Sequence, residues 1–255
     1  MKKFLALLLA VIMAASFVGC KETDDTKPSG GTTEGTTEGT TEGTTEDTTE
    51  DTAEGTTEDT TEGTTEEPSE GISRGTIEGD VYKNEFLGFE FTKPSSWVYS
   101  TDEEIAAILN IALDSLANDN FKEALENNAA IYDMMVVDSL TRTNINIVYE
   151  NLAKSFATNI TEEQYLEALK YQLSNAAGMN AVFSDKIEKV NLGETEFTKC
   201  VGETFIQDPT AITGHTKLTQ VYYLKKKDGY MASVIVTIAS TRDGYTVSDI
   251  EAMFK

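Results

Sequence analysis

Residues 216–240 read TKLTQVYYLKKKDGYMASVIVTIAS, two strand-length runs joined by Asp228-Gly229. Both turn residues tolerate the positive φ of a tight hairpin, whose twist matches that of paired strands. Thr216–Lys226 and Tyr230–Ser240 are therefore expected to be antiparallel neighbours. Two further strand-like runs, Val182–Val190 and Glu196–Ile206, lead into this hairpin. Upstream, Ile131–Asp138 and Asn144–Glu150 flank a polar turn, and in the second run Ile145, Ile147 and Tyr149 alternate with Asn144 and Asn146, the pattern of a sheet with one face in a core.

Helices are expected between these strands. Thr101-Asp102-Glu103-Glu104 has the form of a capping box, and Ile105, Ile108, Leu109, Ala112, Leu113 and Leu116 follow as one apolar stripe at helical spacing. A short helix is expected over Phe121–Asn127. Thr161-Glu162-Glu163-Gln164 repeats the box before Tyr165, Leu166, Leu169 and Leu173, with Gly178 as the stop. A last helix, with Ser248 and Glu251 as its capping pair, is expected to run through Ile250, Met253 and Phe254. Leu87–Phe91 reads as a strand ended at Pro94, which cannot donate to a ladder. Interleaved hairpins and helices define an α+β class, an antiparallel sheet flanked by helices.

The stretch Tyr82-Lys83-Asn84-Glu85-Phe86-Leu87-Gly88-Phe89-Glu90-Phe91-Thr92-Lys93-Pro94-Ser95-Ser96-Trp97 resembles the opening of PsbP-like α/β/α sandwich domains, whose first strand runs into a Pro-x-x-Trp turn. It is also similar to uncharacterised surface lipoproteins of Gram-positive anaerobes. The resemblance implies a PsbP-like sandwich over most of residues 80–255 and a non-enzymatic accessory or binding scaffold. It carries over no ligand, since fold does not determine function.

The N-terminal part reads differently. MKKFLALLLAVIMAASFVGC places Lys2 and Lys3 before an apolar run too short to span a bilayer, and then Gly19-Cys20, the form of a secretory signal peptide over residues 1–19. Phe17-Val18-Gly19-Cys20 resembles a bacterial lipobox, although Phe17 stands where an aliphatic residue is usual. The resemblance implies diacylglycerol on Cys20, and two acyl chains hold a protein at a membrane where one gives only reversible binding. From Gly31 to Glu66 the word [GD]-T-[TA]-E recurs nine times. Such a tract has no core to offset the entropy of ordering, so residues 20–74 are expected to form an acidic, disordered, low-complexity linker. About fifty flexible residues span ~40 Å on average. The expected folded domain is residues 75–255.

Charge and composition exclude several functions. The whole chain carries a net charge of -24, and residues 75–255 alone carry 27 acids against 15 bases. An acidic domain has no electrostatic footprint for nucleic acid. One His and two Cys leave few ways to build a metal or haem site, and no cofactor or metal is expected. With Cys20 lipidated, Cys200 lacks a disulfide partner and reads as a buried thiol. Residues 114–126 contain Asp119, Asn120 and Glu123 but lack the Gly and spacing of a calcium loop.

Three residues are candidates for binding. Trp97 and Tyr99 could form an aromatic platform for a sugar or peptide, the alternative for Trp97 being a core anchor. His215 is the sole imidazole; pairing with Cys200 or carboxylates would make a hydrolase, but no nucleophile elbow accompanies it. Lys225-Lys226-Lys227 could touch anionic lipid or wall polymer, or be a solvated strand end. The sequence thus leans toward a lipid-anchored extracytoplasmic binding or accessory domain of a Gram-positive bacterial envelope, leaning away from an enzyme. Its partners would be the membrane through Cys20 and an envelope protein, glycan or peptide. An envelope hydrolase and an assembly factor for a neighbouring membrane complex are the alternatives.

Overall fold

A computed structural model describes residues 71–109, 121–155, 157–176, 180–207, 214–239 and 244–255. The expected signal peptide, Cys20, the repeat tract, the expected continuation of the first helix through Leu116, Asp119, Asn120 and the expected Gly178 stop lie outside the described residues.

The hairpin is built as its sequence dictates. Strands β9 (His215–Lys227) and β10 (Tyr230–Ala239) pair antiparallel through Asp228 and Gly229, at φ 49° and 82°. Strands β7 (Asn180–Leu192) and β8 (Thr195–Gln207) form a second hairpin, turning at Gly193 with φ 61°. With β4 (Trp97–Tyr99), β5 (Ala130–Asp138) and β6 (Asn144–Asn151), they make one antiparallel sheet in the order β4-β5-β6-β10-β9-β8-β7. A smaller sheet holds β1 (Thr76–Glu78), β2 (Val81–Asn84) and β3 (Phe89–Thr92). The helices are α1 (Asp102–Leu109), α2 (Phe121–Asn127), α3 (Glu162–Ser174) and α4 (Val247–Glu251).

At β10 both faces of the large sheet are buried, which explains the nearly continuous apolar run of that strand. Ala232, Val234, Val236 and Ile238 face a core shared with the small sheet, α2 and the C-terminal segment, through Tyr82, Phe91, Leu125, Ile250 and Phe254. Met231 and Ile235 face the opposite core, closed by Ile105 and Ala106 of α1 and by Tyr165, Leu166, Leu169 and Leu173 of α3. We call these the first and second faces.

Both capping boxes upstream are present: the Thr101 hydroxyl accepts from the Glu104 amide (3.2 Å), and the Thr161 hydroxyl accepts from the Gln164 amide (3.2 Å). The C-terminal helix departs from expectation. Its cap is Thr246, reciprocated by Asp249, and it stops at Glu251. Phe254 instead bridges Phe91, and Lys255 and Glu90 exchange two backbone bonds of 2.8 Å. Those ladder bonds and the burial of Phe254 outweigh another helical turn. Leu87 and Gly88 lie in the β2–β3 turn rather than in a strand, because Gly88 adopts φ 67° and its amide donates to the Asn84 carbonyl at 2.8 Å. Packing extends upstream of Gly75: Ile72 belongs to the first core, and Arg74 is mostly covered.

Candidate functional site

The sequence-flagged aromatics turn inward. Trp97 is 1% exposed, stacks edge-on against Tyr245 and donates its Nε1–H to the Tyr245 hydroxyl at 3.0 Å. This buried position makes it a core anchor instead of a ligand platform. Tyr99 is half-buried with its hydroxyl donating to the Asp80 carbonyl at 3.2 Å, and Lys93 lies 5.7 Å from its ring. Burial, reinforced by Asp80, pushes the Tyr99 hydroxyl well above its ordinary range.

His215 is exposed at the start of β9, opposite Gln207. With Asn180, Phe205 and Lys217 it lines an open hollow of 520 Å³. Cys200 lies seven residues along β8 from Gln207, about 23 Å of strand, and its side chain is buried in the opposite face. A Cys–His nucleophilic pair is therefore not formed. Cys200 is a covered thiol whose pKa is raised by burial.

The covered carboxylates are committed to holding the fold. Asp133 accepts from the Tyr82 hydroxyl (2.6 Å), Asn84 Nδ2 (3.0 Å) and the Gly75 amide (3.0 Å). Arg74 places its Nε 3.5 Å from the same carboxylate and forks onto Asp102 of α1 at 2.8 and 2.5 Å. Glu150 points to the second face, where it accepts from Ser155 and, at 2.5 Å, from the Tyr165 hydroxyl. Asp133 and Glu150 are thus separated by the sheet and cannot act as an acid–base pair across one substrate. Glu162 accepts from Thr198, from Lys189 (2.9 Å) and from the Lys226 amide (2.9 Å), tying α3 to the sheet. Among the described residues no three His, Cys, Asp or Glu side chains gather at one point.

The basic run is also engaged. Lys226 Nζ donates to the Thr158 and Ile160 carbonyls at 2.7 and 3.0 Å, and Lys227 Nζ donates to the Phe86 carbonyl at 2.7 Å while lying 4.7 Å from the Phe86 ring. Lys226 and Lys227 thus pin loops to the hairpin, while Lys227 itself stays exposed at the strand end.

A different feature has the chemistry of a binding site. Between α1 and the β4 edge of the sheet lies an open hollow of 410 Å³ lined by Val98, Ser100, Glu104, Ala107, Val137, Ser139 and Arg142. Val98 and Val137 are directly paired across β4 and β5, and Val98 is 60% exposed, so the floor is an uncovered apolar surface. Arg142 stands beside it in the β5–β6 turn at φ 65°, a conformation costly to a side chain with a Cβ. Its amide donates to the Asp138 carbonyl at 2.9 Å and its carbonyl accepts from Asn144 Nδ2 at 3.3 Å. Asp138 secures the turn by accepting from the Leu140 and Thr141 amides (3.3 and 3.1 Å) and the Thr141 hydroxyl (2.5 Å). Burial opposes ionisation of Asp138, but the Thr141 hydroxyl and these amides leave its pKa below the usual carboxylate range. The guanidinium of Arg142 makes no ion pair among the described residues. No motif in the sequence marked Val98, Val137 or Arg142; the available signal was an Arg in the polar turn between two strands.

The described residues thus define a class: an α+β domain whose antiparallel sheet is covered on both faces at its centre, with a hollow at one edge. No protein-family model matches the chain, and no curated protein matches it. Among solved structures the chain is similar to cyanobacterial PsbP (CyanoP) from Synechocystis sp. PCC 6803, with 14% identity and a TM-score of 0.36, over 73% of this chain and 94% of that one. It is also similar to a protein from Bacteroides thetaiotaomicron VPI-5482, with 11% identity and a TM-score of 0.33, over 72% of this chain and 48% of that one. The chain therefore spans about half the length of the Bacteroides protein. Neither likeness assigns a residue a role.

Proposed function

We propose that this protein is a membrane-anchored extracytoplasmic lipoprotein whose folded domain is a non-enzymatic binding or accessory module at the cell envelope. Lipid on Cys20 holds it, the acidic repeat spaces it from the bilayer, and the hollow between α1 and β4 engages an envelope component. The observation that carries the reading is this hollow, in which an uncovered Val98–Val137 floor stands beside an Arg142 without an ion-pair partner among the described residues. An apolar surface with a few polar groups converging on it is the usual form of a recognition site. The covered carboxylates Asp133, Glu150 and Glu162 are bonded within the fold.

Two substitutions test the two halves of the reading. Cys20→Ala should release the protein from the membrane fraction or leave it unprocessed; unchanged processing and retention would refute the anchor. Ala107→Trp, which fills the exposed flank of the hollow, should abolish an envelope cross-link that the parent chain forms. A cross-link of equal yield in both would refute the site.

A further inference from the structure

We propose that the hollow receives the C-terminal end of an extended peptide, which adds as a strand to β4 with its terminal carboxylate on Arg142 and an apolar side chain on Val98 and Val137. This rests on the binding reading above and names its ligand class.

The Ser96 carbonyl accepts from the Ser139 amide (3.2 Å) and the Ser100 amide donates to the Met135 carbonyl (2.9 Å), so Ser96, Val98 and Ser100 turn their backbone groups toward β5. By the alternation of an antiparallel ladder, Trp97 and Tyr99 turn theirs outward. The Trp97 amide is satisfied by the Pro94 carbonyl at 3.0 Å. With Trp97 covered at 1% exposure, that leaves the amide and carbonyl of the half-buried Tyr99 on the outer edge, and β4 is the terminal strand of its sheet. A short exposed edge is a template for strand addition.

Direction and charge then agree. A strand added antiparallel to β4 ends beside the start of β4, where Ser96 contacts Ser139 and where the β5–β6 turn carries Arg142. The end of the ligand that arrives there is its C-terminus, which bears a carboxylate. Arg142 is the complementary cation, held in position by bonds to both its amide and its carbonyl. Side chains of an added strand alternate, so every second one enters the second face, over Val98 and Val137 and against Ala107. A free carboxylate of a small molecule would use Arg142 but not the outward groups of Tyr99, which is why a peptide is the occupant chosen.

The test is fluorescence anisotropy on the chain from Lys21 onward with a labelled pentapeptide ending in Val. The free-acid peptide should bind, and its C-terminal amide should bind about tenfold more weakly, the loss expected for one charge-assisted bond. Arg142→Gln should weaken the free acid by about the same factor and leave the amide unchanged. Arg142→Gly relieves the positive φ and so should fold at least as well as the parent, yet show the same selective loss. N-methylation of the penultimate peptide bond should also weaken binding. The proposal is overturned if acid and amide bind alike, if neither Arg142 variant changes affinity, or if hexanoate displaces the peptide at equal concentration, which would assign the site to small carboxylates. Failure of the peptide while Ala107→Trp still abolishes the envelope cross-link would remove the ligand class alone. Failure of both would remove the site.

Discussion

Asp133 offers a quantitative test of the packing. Its carboxylate is fully buried between β5, the small sheet and Arg74, and burial pushes its pKa from 3.8 up to about 6, against the opposing pull of the Tyr82 hydroxyl, Arg74 and the Gly75 amide. The charged groups that face it are Arg74 and, through Arg74, Asp102 of α1; the titratable hydroxyls are Tyr82 of β2 and Tyr149 of β6. A folded-state value above the unfolded one means that the native state holds the proton more tightly. The stability this confers is therefore fully present below the unfolded value and is lost as pH rises through about 6. Over the whole range the effect is about 3 kcal/mol, of which about 1.4 kcal/mol falls between pH 7.5 and pH 5. Asp133→Asn removes the titration while keeping the side-chain shape. Urea unfolding of both chains at pH 7.5 and pH 5 should show the parent gaining about 1.4 kcal/mol relative to the variant at the lower pH. Glu150, also raised by burial, contributes equally to both chains and cancels. An identical pH dependence in parent and variant would refute the assignment of this titration to Asp133.

Two other substitutions probe the connections between layers. At Gly193 a Cβ would meet the Lys255 carbonyl oxygen at 2.4 Å and Phe89 Cβ at 2.7 Å, at φ 61°. Gly193→Ala should therefore lower stability by about 2 kcal/mol or more, and Gly79→Ala, at φ 60° in open space, by about 1 kcal/mol, as read from thermal unfolding. Glu162→Ala should cost about 2 kcal/mol at pH 7, because the Thr198 hydroxyl and the Lys226 amide lose their acceptor. Burial opposes ionisation of Glu162, but these donors leave its pKa lowered, so its contribution is present above the ordinary 4.5 and the cost of Glu162→Ala should shrink as pH falls below that.

Local chemistry made the long strands and two helix starts legible. Asp228-Gly229 specifies a hairpin by backbone freedom alone, and Thr101 and Thr161 cap helices through residues three positions away. β1 was not legible, because its residues are exposed and carry no alternation. β4, at three residues, is too short to register a period. The final cap was misplaced by two positions because Ser248 and Glu251 match the same pattern as Thr246 and Asp249, and tertiary pairing of Phe254 with Phe91 decides between them. Trp97 was readable both as a ligand platform and as a core anchor, and its contact with Tyr245, 148 positions away, belongs to the core reading. The hollow was invisible for the same reason: Val98, Ala107 and Arg142 meet only when β4, α1 and the β5–β6 turn assemble.

The central claim is that the hollow at α1 and β4 is where the domain meets its envelope partner. A photo-cross-linking amino acid placed at Val98 in the full chain tests it in the native envelope, with the same probe at Val182, 63% exposed on the far edge strand β7, as the comparison. Cross-linking from position 98, its loss on Arg142→Gly and none from position 182 is the predicted result. Equal cross-linking from both positions, or cross-linking at 98 that survives Arg142→Gly, would contradict it.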